Sequence, residues 1–320
     1  MFVSWPILVT LGLGFCLLGT VVGSFLNVCI YRIPWQKSVI WPSSTCPHCL
    51  EAIRAHDNIP IISWIALRGE CRGCGEPISM RYPLVEALVG LLFLGAYVSD
   101  VLYFAGPSGA WGQVPATQLV SAAYHALFLA LLVGATFIDY DLMIIPDQIT
   151  VTGMIVGIGM GTIWPEVRPA PGSWPAITHL EGMWVGLEGL LVGAGLTQFV
   201  RKSAGFALRR EAMGFGDVTL MGMIGAFLGW QAAVLTFFLA PFLGLTHAAW
   251  KLITYLGKRL SGSQLSSADR EIPYGPYLSM AAASLLFVWR WIWPVSNRHL
   301  FEPLYVIFWW MLGIDVDLPN

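Results

Sequence analysis

Two acidic residues in this chain stand where an ionised side chain is costly. Asp139 closes one apolar run, in FIDYDLMIIPD, and Asp217 opens another, in GFGD. A carboxylate at the edge of a membrane segment must recover its desolvation cost through a partner or a function. Paired carboxylates that share one proton can hydrolyse a peptide bond: the anion activates water and the protonated partner polarises the carbonyl under attack. Asp141 and Asp147 compete with Asp139 for this role. Pro146 marks the start of the next helix, because its missing N–H is tolerated in a first turn. Asp147 then lies in that first turn, where the helix dipole favours an acid, and Asp141 falls in the connecting turn as a solvated aspartate. Gly214 and Gly216 leave the backbone before Asp217 free to take unusual dihedrals and to let an extended chain approach closely. The helix ends lean in opposite directions, stabilising an anion at Asp217 and disfavouring one at Asp139. Asp217 is therefore the expected starting base and Asp139 the acid of a coupled pair. The same residues also admit a plainer reading, a helix cap at Asp217 and a solvated turn at Asp139.

A second chemical pattern is Cys46-Pro-His-Cys49 and Cys71-Arg-Gly-Cys74, two CxxC pairs with 21 residues between them. This spacing is that of a four-thiolate zinc site, in which each knuckle gives two sulfurs. Gly73 and Gly75 supply knuckle flexibility. Residues 34–81 are too few to be held by core burial, so a metal staple is physically sensible. A closed shell of four cysteines leaves no position for water, which makes the site structural. Disulfides are disfavoured in a reducing compartment, and a redox CxxC lacks a thioredoxin-like βαβ context. His48 is an unneeded extra ligand. Cys16 and Cys29 lie inside an apolar helix and read as small buried hydrophobes.

The elements that must hold these groups are helices in a membrane. The chain is 56% hydrophobic and 11% charged, with a mean hydropathy of +0.68, against about a quarter charged in soluble proteins. Net charge is −2, and no basic stripe with interleaved aromatics supports nucleic-acid binding. Apolar stretches near 6–31, 83–104, 118–138, 147–164, 182–200, 217–231, 232–250 and 275–293 predict about eight transmembrane helices. The sixth is short and joins the seventh almost without a loop. A weaker stretch at 303–314 reads as interfacial. The expected fold is an all-α polytopic membrane protein divided into a first helix (1–33), a zinc-binding loop domain (34–81), a membrane core (82–293) and a C-terminal extension (294–320).

Charge placement orients this bundle. No Lys or Arg precedes Arg32, so the first segment lacks the basic start of a cleaved signal and reads as a retained helix. Lys37, Arg54, Arg68, Arg72 and Arg81 follow it; Arg201, Lys202, Arg209 and Arg210 follow the fifth helix; Lys251, Lys258, Arg259 and Arg270 follow the seventh. The positive-inside rule puts these loops in the cytoplasm, the N-terminus outside, and Asp139 and Asp217 on the cytoplasmic face. The loops at 105–117 and 165–181 carry only Arg168 between them, as expected outside. Gly153, Gly157 and Gly161 make a smooth stripe for helix packing. Glu86 is expected to pair with a cation such as Arg81. Trp164, Trp174, Trp291 and Trp293 lie near predicted helix ends, where indoles prefer the interface. His125, His179 and His247 show no ligand spacing, and no internal repeat is evident.

Gly23 to Pro34 (GSFLNVCIYRIP), the two CxxC knuckles, Asp57-Asn58-Ile59-Pro60, Arg81 to Glu86 (RYPLVE), Asp139 to Asp147 and Gly214 to Asp217 together resemble the bacterial type IV prepilin peptidase family, in order along nearly the whole chain. The resemblance implies a GxGD membrane aspartic protease of the inner membrane that removes the leader of type IV prepilins or type II secretion pseudopilins on the cytoplasmic side, after a glycine. In the family pattern the first catalytic aspartate stands seven residues before a proline, which places it at Asp139 before Pro146; Asp217 matches the second. Members with such a cysteine loop often also methylate the new N-terminus with S-adenosylmethionine. No glycine-rich nucleotide fingerprint is present, so a methyl-donor site would be sought near Asn27, Arg32 and the zinc loop. Asn27 as an interhelical hydrogen bond and Arg32 as a snorkelling anchor are equally open. The loops at 105–117 and 165–181 and the extension beyond Trp293 exceed the usual family core. Tyr274-Gly275-Pro276 resembles the stretch before the family's last helix, or simply opens a helix. The competing functions are a peptidase without methyl transfer, a proton-coupled transporter, and a zinc-bearing assembly factor without catalysis.

Overall fold

The computed structural model describes residues 5–102, 116–168, 178–209, 213–260 and 273–311. Arg210, Arg270, Trp174 and most of the two expected outer loops lie outside the described residues. All eight predicted segments form helices: α1 (Trp5–Arg32), α3 (Arg81–Tyr97), α4 (Ala116–Leu142), α5 (Asp147–Ile163), α6 (His179–Leu208), α7 (Phe215–Leu228), α8 (Trp230–Leu260) and α9 (Gly275–Ser296). A short α2 (Ile62–Ala66) lies in the cysteine loop, and the weak last stretch forms α10 (Glu302–Met311). The chain is an all-helical, multi-pass membrane protein.

Among the described residues, six helical segments are long and apolar enough to cross a bilayer by themselves. The other two of the eight explain the approximate count. At 1.5 Å per residue, α5 spans about 25 Å and α7 about 21 Å, short of a hydrocarbon core of about 30 Å. Asp217, Val218 and the whole run Leu220–Leu228 are buried, so α7 is a central helix sheathed by its neighbours. A helix sheathed in protein does not need to match the bilayer thickness. Its end is set by Gly229 at φ 87°, after which α8 starts at once. Only glycine takes that backbone position without strain.

Small residues decide how closely the helices approach. Gly19 and Gly23 on α1 face Gly90 with Phe93, and Glu86, on α3. On α5, Gly153 lies against Met223 and Gly157 against Phe227, both on α7. The glycine stripe therefore presses on the helix that carries Asp217. Tyr124 on α4 crosses this seam, donating from its hydroxyl to the carbonyls of Phe227 at 3.0 Å and Gly157 at 3.2 Å.

Arg168, expected in a solvent-facing loop, is instead 5% exposed. Its guanidinium fills the hollow beside Gly161 and Gly186. It donates to the carbonyls of Gly157 (3.0 Å), Gly161 (3.1 Å) and Ala226 (3.3 Å), and to that of Gly182. One cation thus ties α5, α6 and α7 together through backbone acceptors. The histidines are partnered too: His125 with Asp100 at 2.7 Å, His179 with the Thr162 carbonyl at 2.8 Å, and His247 with the Tyr277 hydroxyl.

Candidate functional site

Asp139 lies one turn before the end of α4, and its carbonyl accepts from Met143 N–H at 2.9 Å. Pro146 caps α5, and Asp147 opens that helix as an exposed first-turn acid. Asp217 is the third residue of α7, after the capping Gly214. The two carboxylates are 6% and 7% exposed, and Asp217 feels the charge of Asp139 directly. Among the described residues neither has a Lys, Arg or His at ion-pair distance. Two buried acids without a cation, within electrostatic reach of each other, are costly to ionise together, and a proton held by one of them relieves that cost.

Asp141 is not a free turn residue. Arg81, at the start of α3, grips it through two bonds of 2.6 and 3.0 Å. The planar guanidinium suits a carboxylate held at two points. Asp141 thus ties α3 to the last turn of α4 and leaves Asp139 as the buried acid of this stretch without a cation. Glu86, expected to take Arg81, accepts instead from Ile61 N–H at 2.7 Å.

In GFGD neither glycine takes an unusual dihedral, and Gly216 acts by contact instead. Gly214 has φ −70°, and Gly216 continues the helix. A Cβ at Gly216 would come 2.9 Å from the Ile145 Cβ, so this glycine lets the Ile145–Pro146 turn lie on the start of α7. That contact brings the Asp139 and Asp217 segments together.

A backbone group in Tyr274-Gly275-Pro276, the stretch that resembles the segment before the family's last helix, completes the site. Gly275 N–H, at the first residue of α9, donates to Asp139 Oδ2 at 2.9 Å. The opening amides of a helix have no partner within it, so they seek an acceptor. This changes the electrostatic contrast expected from local helix ends, since Asp139 gains a helix-start amide from an element 136 residues away. Both acids then face helix beginnings. Tyr274, the residue before, lies close enough to Asp217 to feel its charge.

The cysteine loop is built of two matching knuckles. Cys46 N–H donates to the Glu51 carbonyl at 3.0 Å, and Leu50 N–H to that of Cys46 at 2.9 Å. In the second knuckle Cys71 N–H donates to Glu76 at 2.8 Å and Gly75 N–H to Cys71 at 2.9 Å. Leu50 (φ 59°) and Gly75 (φ 74°) make the same left-handed turn. The four sulfurs all lie within 4.8 Å of one another, and those of Cys46 and Cys74 are 3.9 Å apart. Sulfurs bound at about 2.3 Å to one tetrahedral ion stand about 3.8 Å apart, so the set fits a metal. Amides of Cys49 and His48 lower the Cys46 thiol to about 6. Although the Glu76 amide pulls the other way, burial and the neighbouring sulfurs push Cys74 up to about 12. Four crowded thiols cannot all ionise unless a cation compensates them.

Between this loop and the ends of α1 and α3 lies a cavity of about 630 Å³ lined in part by Asn27, Tyr31, Arg32, Trp64, Tyr82 and Glu86. Asn27 does make an interhelical bond, donating to the Tyr82 carbonyl at 3.2 Å. Arg32 organises the loop by donating to the carbonyls of Ser38 (3.0 Å) and Ser43 (3.5 Å). Asp57 is held well below the usual carboxylate range by the hydrogen bonds of Arg72, at 2.7 and 2.8 Å.

Comparison with known proteins gives a family for this arrangement. The family model described as the bacterial peptidase A24 N-terminal domain matches residues 17–99, and that of the type IV leader peptidase family matches residues 126–249. A prepilin leader peptidase/N-methyltransferase of Myxococcus xanthus is 40% identical over 215 residues, covering 67% of this chain and 55% of that relative. The protein of the same name from Aeromonas hydrophila is 32% identical, covering 83% of this chain and 86% of the relative. A type 4 prepilin-like proteins leader peptide-processing enzyme of Escherichia coli is 31% identical over 89% of this chain and 94% of its own. No solved structure matches the chain.

Proposed function

Because the chain belongs to the type IV leader peptidase family, we propose that it is an aspartic endopeptidase that removes the leader of type IV prepilins or type II secretion pseudopilins, and then methylates the amine so exposed. The observation that carries the first reaction is the pair Asp139 and Asp217, two buried carboxylates from distant segments with no cation to neutralise them among the described residues. With one proton between them, one takes a proton from the attacking water. The other donates to the scissile carbonyl oxygen, and the proton returns to the leaving amine as the tetrahedral carbon collapses. The Gly275 amide fixes the orientation of Asp139 throughout.

The positive loops favour an inner-membrane bundle with its N-terminus outside and the pair facing the cytoplasm. Zinc at Cys46, Cys49, Cys71 and Cys74 is the ion that best suits four thiolates in a closed shell. The second reaction requires a methyl donor, for which S-adenosylmethionine supplies an electrophilic methyl group. The cavity between the zinc loop, α1 and α3 has the size and mixed lining of a small-molecule site, with Asn27, Trp64 and Tyr82 on its wall.

Purified protein in detergent should trim a prepilin-like peptide and, given the donor, add one methyl group to it. Asp139→Asn and Asp217→Asn should each abolish trimming. Full cleavage by both variants would end the aspartyl reading; trimming without a mass gain would confine the chain to proteolysis.

A further inference from the structure

Glu86 is a carboxylate whose place in the fold is not accounted for by packing. It sits in α3, 7% exposed, and lines the cavity beneath the zinc loop. Among the described residues no cation lies within ion-pair distance of it. One of its oxygens, Oε2, accepts from Ile61 N–H at 2.7 Å. Ile61 adopts φ 62° and ψ −50°, an outlier for a β-branched residue. Such strain persists only where the surroundings impose it, and it gathers at functional sites. Here it aims a loop amide at Glu86, fixing the acid while leaving it without a counter-charge.

We propose that Glu86 binds the free N-terminal ammonium of the trimmed substrate and takes its proton before methyl transfer, a role that rests on the methyltransferase reading above. An α-ammonium has no lone pair and cannot attack. A buried carboxylate without a cation attracts it and then accepts the proton. The freed nitrogen lone pair forms a bond to the methyl carbon of a sulfonium donor, and the carbon–sulfur bond breaks with its electrons going to sulfur. A neutral thioether leaves, the amine becomes a methylammonium, and Glu86 returns its proton to water. Every atom and charge is accounted for without a redox partner.

The other ionisable groups around the cavity are engaged elsewhere or carry the wrong charge. Tyr31 and Arg32 come from α1, Tyr82 from α3, and Arg54, Asp57 and Arg72 from the loop. Asp57 is held by Arg72, and Arg32 by the Ser38 and Ser43 carbonyls. The knuckles add His48, Glu51 and Glu76, the last two exposed beside the cysteines. Glu86 is the buried acid that remains for an incoming ammonium.

The test uses full-length protein in detergent and a peptide that already begins at the trimmed residue, so cleavage plays no part. With Glu86→Gln, methyl transfer at about pH 7 should fall at least about tenfold. It should recover above about pH 9, where an α-amine of ordinary pKa near 8 loses its proton unaided. Peptide affinity at neutral pH should fall, while affinity for S-adenosylmethionine stays within about twofold. A des-amino version of the peptide should bind wild-type protein about tenfold more weakly than the peptide itself, and Glu86→Gln should bind the two alike. The proposal is overturned by equal binding of both peptides to wild-type protein, by a rate loss that is uniform with pH, or by loss of donor binding with peptide binding intact. Failure of the wild-type protein to transfer any methyl group overturns the methyltransferase reading along with it.

Discussion

Replacing Gly275 by alanine tests whether α9 positions the proposed catalytic pair. The added Cβ would lie 2.6 Å from Asp139 Oδ2 and 2.9 Å from Ile145 Cδ1. Ordinary carbon contacts are about 3.5–4.0 Å, so the carboxylate or the helix must give way by about 1 Å. The hydrogen bond from Gly275 N–H, now 2.9 Å, would stretch or break. A hydrogen bond to a charged group is worth about 1.5–3 kcal/mol, and about 1.4 kcal/mol is tenfold in rate. A displacement of about 1 Å at a catalytic group independently costs about a hundredfold. Both routes give a fall in kcat of about one to two orders of magnitude, with KM little changed because the substrate's remote contacts are intact. The assay is peptide trimming in detergent, compared with Gly159→Ala, where an added Cβ meets nothing within 4 Å. If Gly275→Ala kept kcat within about threefold of wild type, Asp139 would not be positioned through α9.

Three further outcomes follow from the same geometry. Metal analysis should find one zinc per chain, and Cys46→Ser should lose it; acid should release it as well, because protons compete for the thiolates as pH falls. The depressed Asp57 works in the same direction: its contribution to loop stability is present above its unfolded pKa near 4 and is lost only as pH falls through its lower folded value. Protease nicking of residues 34–81, followed against pH, would detect both. Arg168→Met strands carbonyls on three helices and should lower the thermal midpoint by about 5–10 °C, since each bond from a charged group is worth about 1.5–3 kcal/mol. Arg168→Lys should recover only part of this, its ammonium lacking the planar fork that reaches several acceptors. A midpoint unchanged in Arg168→Met would show that the buried cation holds nothing together.

What could be read in advance was what is written along one dimension. An apolar run of about 20 residues announces its helix whatever it packs against, and CxxC spacing announces four converging sulfurs. Asp139 and Asp217 stand out for the same reason, each being an acid where the local pattern is apolar, and both prove to be buried. What escaped were pairings between distant segments. Arg81 was near Glu86 in sequence, yet Asp141, 60 residues away, takes it; Glu86 is left to the strained amide of Ile61. The electrostatic contrast drawn from the ends of α4 and α7 could not include the start of α9. The sequence suggests backbone freedom and close approach of a substrate chain at Gly216, whereas the close approach the structure shows there is that of Ile145 from the same chain. The shortness of α7 was legible, but its reason, that the helix is enclosed by others, was not.

The burial of Arg168 has a mechanical consequence. Its acceptors on α5, Gly157 and Gly161, lie well along that helix from Asp147, where α5 approaches the catalytic pair. From Asp147 to Gly157 is about 15 Å along the axis. The cation acts as a pivot pin through α5, α6 and α7, and the length of helix beyond it as a lever arm. The same cation holds α7 at Ala226, nine residues and about 13.5 Å from Asp217, so a tilt of about 5° about that pin would carry Asp217 through about 1.2 Å, a distance to which a pair of reacting carboxylates is sensitive.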